Sequence, residues 1–317
     1  MPTETSSPVP RVVVHPERPD GVWEALRALA EQEPMTLVDA ADEQDVVDAL
    51  QEPGAVLATY RWSPRFLQPG LSWVQAMSTG VDQFPLDEFR RRGIGLCNAS
   101  GVLADCIAEH ALACLFALTR NLPQHRDDQR AGRWTPRVGH ELVGATLAVV
   151  GLGAVGQQVA RLGAAVGMTV LGVRRTPGPV GSVAEVLGPD RLLQVCERAD
   201  ALVLCLPETA STRGLIGAAE LAALGDGWLI NVGRGSAVDE SALLHALRRG
   251  ALRGAALDVV DPEPPPADSG LWNEPRILLT GHSAVLSPRW GTEWTKVLAA
   301  NLRSERDGTG RVNAVIG

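Results

Sequence analysis

Gly151-Leu152-Gly153-Ala154-Val155-Gly156 follows a β-branched run at 146–150 without a gap and opens an apolar helical pattern at 154–166. Few folds accommodate that arrangement. A first Gly makes the tight turn out of the strand, a second lets a phosphate approach the backbone, and a third lets the helix pack close to the strand. The helix start then offers unpaired N–H groups and a partial positive charge. A G-x-G-x-x-G alone is a weak sign in a chain with 33 glycines. Here the strand before it, the helix after it and a further strand about 20 residues on supply the setting of a pyrophosphate-binding turn. Gly151, Gly153, Ala154, Val155 and Gly156 are therefore candidate cofactor contacts.

Short β-branched runs alternate with longer helical patterns along the chain, which signals βαβ units and a parallel sheet. One set predicts strands at 11–15, 36–39, 55–60, 73–77 and 94–97, helices at 22–31, 43–51 and 86–92, and a short helix within 62–69. A second set predicts six strands, at 146–150, 169–173, 201–205, 228–232, 254–259 and 276–279. Its helices are expected at 154–166, 192–198, 218–224 and 240–249, enough for a complete dinucleotide-binding sheet. Helical patterns at 102–119 and 123–131 separate the sets, and a last helix at 288–306 falls too late for the second repeat. That helix is expected to return to the first set. The chain thus reads as α/β with two domains: a discontinuous outer one, 1–99 and 285–317, and an inserted one, 100–284. The loop 261–270 holds four prolines and is expected to lack regular structure.

Composition bounds the function. The chain has 317 residues, 45% hydrophobic and 21% charged, which is globular and long enough for two ordinary domains. A net charge of −8 argues against non-specific nucleic-acid binding and against a polybasic membrane surface. The five cysteines, Cys97, Cys106, Cys114, Cys196 and Cys205, lie in apolar stretches and form no C-x-x-C pair. They read as reduced core thiols, with neither a disulfide framework nor a metal site expected. The stretch 1–10 is polar and proline-rich, so no secretory leader is expected. The longest apolar run, 102–118, contains Asp105, Glu109 and His110 and falls short of the roughly 20 uncharged residues of a membrane span. It reads as a buried helix, and a cytoplasmic protein is expected.

Ligands of such sheets bind outside the carboxyl ends of the strands. Beyond the strand at 169–173 stand Arg174, Arg175 and Thr176. An NAD site usually carries Asp or Glu there to bind the ribose 2′-OH, whereas arginine forks suit a 2′-phosphate. NADP(H) is the expected cofactor, with NAD(H) as the lesser one. Arg234, Glu263 and His282 stand just beyond the strands at 228–232, 254–259 and 276–279. Hydride transfer to a 2-oxo acid needs an anchor for the carboxylate and a proton donor for the developing alkoxide. An arginine binds carboxylate through paired donors, a histidine gives and takes protons near neutral pH, and a glutamate orients that histidine and balances its charge.

The glycine turn, Ile230-Asn231-Val232-Gly233-Arg234-Gly235, Ala256-Leu257-Asp258-Val259 through Glu263-Pro264, and Gly281-His282-Ser283-Ala284 follow one another at defined spacing. Upstream stand Ser78-Thr79-Gly80-Val81-Asp82 and Ala108-Glu109-His110-Ala111. From about residue 55 to 310 this series resembles the D-isomer-specific 2-hydroxyacid dehydrogenases, and among them the NADP-type branch like the glyoxylate/hydroxypyruvate reductases. The resemblance implies a Rossmann dinucleotide-binding domain inserted into a flavodoxin-like substrate domain. It implies that Arg234 holds the substrate carboxylate and carbonyl, and that His282 is the general acid/base, paired with Glu263. It further implies that Asp258 lies beside the nicotinamide carboxamide and that the backbone of Thr79, Gly80 and Val81 meets the substrate carboxylate. A homodimer follows from it, with Trp134 and the helices before it at the interface.

The chain departs from the family pattern at two places. Gly281 stands where a proline usually precedes the histidine, which loosens the backbone, and Val260 replaces a usual aromatic. No regulatory domain is expected after residue 317, which makes the effector-controlled serine-biosynthesis members the poorer match. Two alternatives stay open: a formate dehydrogenase-like enzyme, though that branch usually pairs its histidine with Gln, and a non-catalytic NAD(H)-sensing protein of the corepressor type. Tyr60, Trp62 and Trp290 are candidates to line a pocket, with core packing as the plainer reading.

Overall fold

In the computed structural model the described residues are 9–317; of the stretch 1–10 only Val9 and Pro10 are described, and the rest lies outside the described residues. The first segment runs β1 (Arg11–Val14), α1 (Val22–Ala30), β2 (Thr36–Asp39), α2 (Glu43–Ala49), β3 (Ala55–Thr59), β4 (Leu71–Ala76), α3 (Leu86–Arg92) and β5 (Gly95–Cys97). The middle segment begins with α4 (Ala104–Thr119) and α5 (Leu122–Arg130), then β6 (Thr146–Val150), α6 (Ala154–Val166), β7 (Thr169–Val173), β8 (Glu185–Leu187) and α7 (Leu192–Glu197). It continues with β9 (Ala201–Leu204), α8 (Ala218–Leu224), β10 (Trp228–Asn231), α9 (Glu240–Arg248), β11 (Gly254–Leu257) and β12 (Ile277–Leu279). The chain closes with α10 (Trp290–Asp307) and β13 (Ala314–Ile316). Two units result: residues up to Leu103 with Ser287–Gly317, and Ala104–Leu286.

The first unit holds one sheet in the order β13-β5-β4-β3-β1-β2. Its five parallel strands follow the flavodoxin-like order, and β13 adds antiparallel beside β5. The central strand β3 is buried at every position, as a parallel strand covered on both faces must be, while the edge strand β2 is not. On one face Trp62 packs edge-on to Phe66 and Phe89, with ring centroids 5.8 and 4.8 Å apart. Helix α10 belongs to this unit. Trp294 Nε1 donates to Ala76 O at 3.0 Å, and Asn301 Nδ2 donates to Gln75 Oε1 at 2.8 Å. Trp290 stacks on Trp294, so it and Trp62 are packing residues; Tyr60 is exposed.

The second unit holds seven strands in the order β12-β11-β10-β9-β6-β7-β8, all parallel. This is the Rossmann order with one further strand at the β12 edge. Alternate residues serve opposite faces. Leu147, Val149, Val203 and Ile230 join α4 and α6 in one core cluster, whereas Ala148, Val150, Leu202, Leu204 and Leu229 join α7, α8 and α9 in another.

Strands β8 and β13 have no counterpart in the sequence reading. Each is three residues long and begins on an exposed residue, too short for a period of two to show. The short helix expected within 62–69 is one 3₁₀ turn, Pro64–Phe66. Burial pushes the thiols of Cys196 and Cys205 up to about 12 and those of Cys97 and Cys114 up to about 11, so none of the four is a reactive thiolate. No helix among the described residues is long and apolar enough to cross a membrane.

Candidate active site

The glycine turn joins β6 to α6. Gly151 adopts φ +98°, and a Cβ there would fall 2.6 Å from Cys205 O, so both conformation and space require Gly. At Gly156 a Cβ would fall 1.9 Å from Gly151 O, which is how closely helix and turn approach. Gly153 differs: it is the N-cap of α6 at φ −74°, and nothing lies within 4 Å of a Cβ built there. The first amide with a backbone partner is that of Gln157, which donates to Gly153 O at 3.0 Å. The N–H groups of Ala154, Val155 and Gly156 therefore open onto the space beside Gly153, with no acidic side chain in that turn. An open cradle with three unpaired donors fits a pyrophosphate.

One strand over, β7 ends at Arg174-Arg175-Thr176. Arg174 is half-buried, and Arg175 and Thr176 are exposed. The Arg174 amide donates to Leu187 O at 3.1 Å, at the end of β8, so the unpredicted strand fixes this strand end. Among the described residues neither guanidinium has an ion-pair partner.

Arg234, Glu263 and His282 stand beyond the carboxyl ends of β10, β11 and β12, which are neighbours in the sheet. At about 4.8 Å per strand, the outer two loops start roughly 10 Å apart. Arg234 is half-buried. Its Nη1 donates to Gly233 O at 2.8 Å, and among the described residues the rest of the guanidinium fork has no partner. Its backbone is held by Asn231, whose Nδ2 donates to Arg234 O at 2.9 Å while its Oδ1 accepts from Gly233 N at 3.1 Å. Gly235 lets this loop touch the next: a Cβ there would lie 2.0 Å from the Val260 carbonyl carbon. Nothing in the structure explains why Val260 replaces an aromatic.

His282 Nδ1 and Glu263 Oε2 are 2.7 Å apart, with the two side chains 41% and 38% exposed. The pair is reachable by a small molecule yet fixed in geometry. Glu263 Oε1 accepts from Val260 N at 3.3 Å. A carboxylate only accepts, so Nδ1 carries the hydrogen and Nε2 is the ring nitrogen left for chemistry.

Asp258, expected beside the nicotinamide, turns its carboxylate to the chain itself and is 2% exposed. Its Oδ1 accepts from Thr280 Oγ1 at 2.7 Å, Ser283 N at 2.8 Å and Ala284 N at 3.2 Å, and its carbonyl accepts from His282 N at 2.7 Å. This grip supplies the rigidity that Gly281, with nothing within 4 Å of a Cβ, does not. Its signal in the sequence, an Asp at a strand end, does not reveal which groups it binds.

In the first unit, Thr79, Gly80 and Val81 form the turn after β4. Asn98 Nδ2 donates to Thr79 O at 2.8 Å, and Ser78 Oγ donates to Gly80 O at 2.7 Å, so the turn is braced from both sides.

Comparison with known proteins gives a consistent picture. The family described as D-isomer specific 2-hydroxyacid dehydrogenase, NAD binding domain, matches residues 112–284. The D-3-phosphoglycerate dehydrogenase of Bacillus subtilis is 35% identical over 251 residues, covering 78% of this chain and 47% of that protein. This chain thus spans about half the length of the phosphoglycerate dehydrogenases it matches. The glyoxylate reductase of Korarchaeum cryptofilum is 32% identical over 244 residues, covering 74% of this chain and 73% of that protein. An NADPH-dependent glyoxylate/hydroxypyruvate reductase from Sinorhizobium meliloti, solved with NADP and malonate, superposes with a TM-score of 0.77 at 29% identity, covering 97% of each chain.

Proposed function

Because the chain belongs to the D-isomer-specific 2-hydroxyacid dehydrogenase family, we propose that it transfers a hydride between NADP(H) and a small 2-oxo or 2-hydroxy acid, working as a 2-oxoacid reductase. The observation that carries this reading is the His282–Glu263 pair, 2.7 Å apart beside the Arg234 loop at the carboxyl edge of a dinucleotide-binding sheet.

The dinucleotide, when bound, supplies the hydride. Ala154, Val155 and Gly156 give its pyrophosphate their N–H groups, with Gly151 making the turn and Gly153 keeping the approach clear. Arg234 presents a planar fork to the substrate carboxylate and its carbonyl. His282 gives the Nε2 proton to the oxygen that becomes the hydroxyl, and Glu263 keeps the ring oriented and balances the charge it carries before transfer. In the reverse direction Nε2 takes that proton back. Glu263 beside the histidine favours this reaction over a formate dehydrogenase-like one, since the latter branch usually holds Gln there.

The site reading is tested by His282→Ala. Loss of general acid/base catalysis lowers kcat by about 10²–10⁴-fold, while the Kd for NADPH, followed by tryptophan fluorescence, stays within error. Undiminished kcat would place the proton donor elsewhere.

NADP(H) is favoured by Arg174, Arg175 and Thr176, which stand at the β7 end without an acidic neighbour in sequence. The solved Sinorhizobium relative holds NADP, which accords with this. One engaged arginine contributes about 1.5–3 kcal/mol, or roughly ten- to a hundredfold in preference. The kcat/KM ratio for NADPH over NADH should therefore exceed ten in the wild type and collapse in Arg174→Asp. An unmoved ratio would mean that the guanidinium never meets the 2′-phosphate.

A further inference from the structure

His110 has no part in the reaction just described, yet it is tied to the loop that carries His282. It lies on α4, the helix packed against β10 and β11. Its Nε2 is 2.9 Å from Thr280 Oγ1 and 3.4 Å from Asp258 Oδ1. Thr280 has one hydroxyl hydrogen and gives it to Asp258 Oδ1 at 2.7 Å. The Thr280 oxygen then acts toward His110 as an acceptor, so the hydrogen of that contact sits on His110 Nε2. The series runs His110 Nε2–H to Thr280 Oγ1, then Thr280 O–H to Asp258, with Asp258 accepting from the amides of Ser283 and Ala284 and, through its carbonyl, from that of His282.

His282 needs such a support. It stands at φ +52°, in the left-handed region that a non-glycine residue rarely adopts. A residue in that region persists when its surroundings over-determine it. Asp258 does so from one side, and its carboxylate is buried, with His110 as its only side-chain base among the described residues. Removing the His110 donor leaves the Thr280 hydroxyl held only by its own bond to Asp258 and weakens the grip on residues 282–284. Members of one hydrogen-bonded network weaken together.

We infer that His110 is a positioning residue for His282, acting through Thr280 and Asp258 to fix the backbone conformation from which the imidazole projects. The kinetic consequence rests on the proposed role of His282 as proton donor; the structural consequence does not. Both are read in His110→Phe, which keeps a ring without a donor, His110→Gln, whose amide nitrogen falls near Nε2, and Thr280→Val, which removes the hydroxyl. By hydrogen–deuterium exchange, the peptide covering 282–284 should exchange at least about tenfold faster in His110→Phe and Thr280→Val than in wild type, and near the wild-type rate in His110→Gln. Unchanged exchange in both donor-less variants overturns the inference. With the best 2-oxo acid, kcat should fall at least about tenfold in His110→Phe at nearly constant KM and NADPH Kd, recover in His110→Gln, and fall no further when His110→Phe is added to His282→Ala. A full additional loss on the His282→Ala background would show that His110 does not act through His282. If the wild type reduces no 2-oxo acid, the proposed reaction falls while the exchange result still decides the relay. Should His110→Phe fail to fold, Thr280→Val carries both readings.

Discussion

Gly153 and Gly156 look alike in the motif but differ in their surroundings. An alanine methyl at Gly156 would meet the Gly151 carbonyl at 1.9 Å, a clash with backbone that only a shift of α6 relieves, whereas at Gly153 it meets nothing within 4 Å. Gly153→Ala should therefore leave the melting temperature within about 2 °C and still weaken NADPH binding at least about tenfold, because the methyl occupies the space that the phosphates enter. Gly156→Ala should lower the melting temperature by several degrees as well. A Gly153→Ala variant with unaltered NADPH affinity, measured by calorimetry, would show that the phosphates lie elsewhere. At this scale Arg234, Glu263 and His282 stood out as candidates because each lies in the loop after a strand, where the proposed chemistry restricts what may stand. The grip of Asp258 was not, since its partners Thr280, Ser283 and Ala284 are 22 to 26 residues away and meet it only through the pairing of β11 with β12.

Among the elements, α10 was legible as a helix and its return to the first sheet was legible from its position after the last strand of the second. What binds it there was not. Glu33, just after α1, accepts from Arg303 Nε at 2.6 Å and from Arg306 Nη2 at 3.0 Å, so two arginines on one face of α10 hold it. The Arg303 hydrogen bond, and Arg306 after it, hold the Glu33 carboxyl below its ordinary value of 4.5 against the opposing effect of burial. A carboxylate with a depressed folded-state pKa stabilises fully above its unfolded value and loses that contribution as pH falls through the folded one. Glu33→Gln should accordingly lower the melting temperature at pH 7, and the gap from wild type should narrow as pH drops below about 4.5. A gap that stays constant down to pH 3 would indicate that the arginines do not stabilise the charged form. Strand β8 shows the other side of legibility: three residues carry no pattern, and only pairing with β7 makes them a strand.

In the molecule as a whole, the segment after α5 stands out. Trp134 is 98% exposed and Val138 91%, yet their segment is fixed to the body of its unit, because buried Asp128 accepts from Arg133 Nε at 3.0 Å and Arg137 Nη2 at 2.6 Å. Together with the exposed Phe116 and Leu122 on the preceding helices, this is apolar area that a second copy of the chain would cover. A homodimer is the expected state: sedimentation equilibrium at micromolar concentration should give twice the mass of one chain, and Trp134→Ser should shift the balance toward monomer. A wild-type monomer would refute it. Above all, the molecule is proposed to be a reductase and not a nucleotide sensor that retains the same three side chains. The direct measurement is the absorbance of NADPH with purified protein and, in turn, glyoxylate, hydroxypyruvate, pyruvate and phosphohydroxypyruvate. Saturable NADPH oxidation with at least one of these acids, at a kcat in the range of about 1–10³ s⁻¹ typical of enzymes and lost in His282→Ala, is the predicted result; tight NADPH binding without turnover on any of them would contradict it.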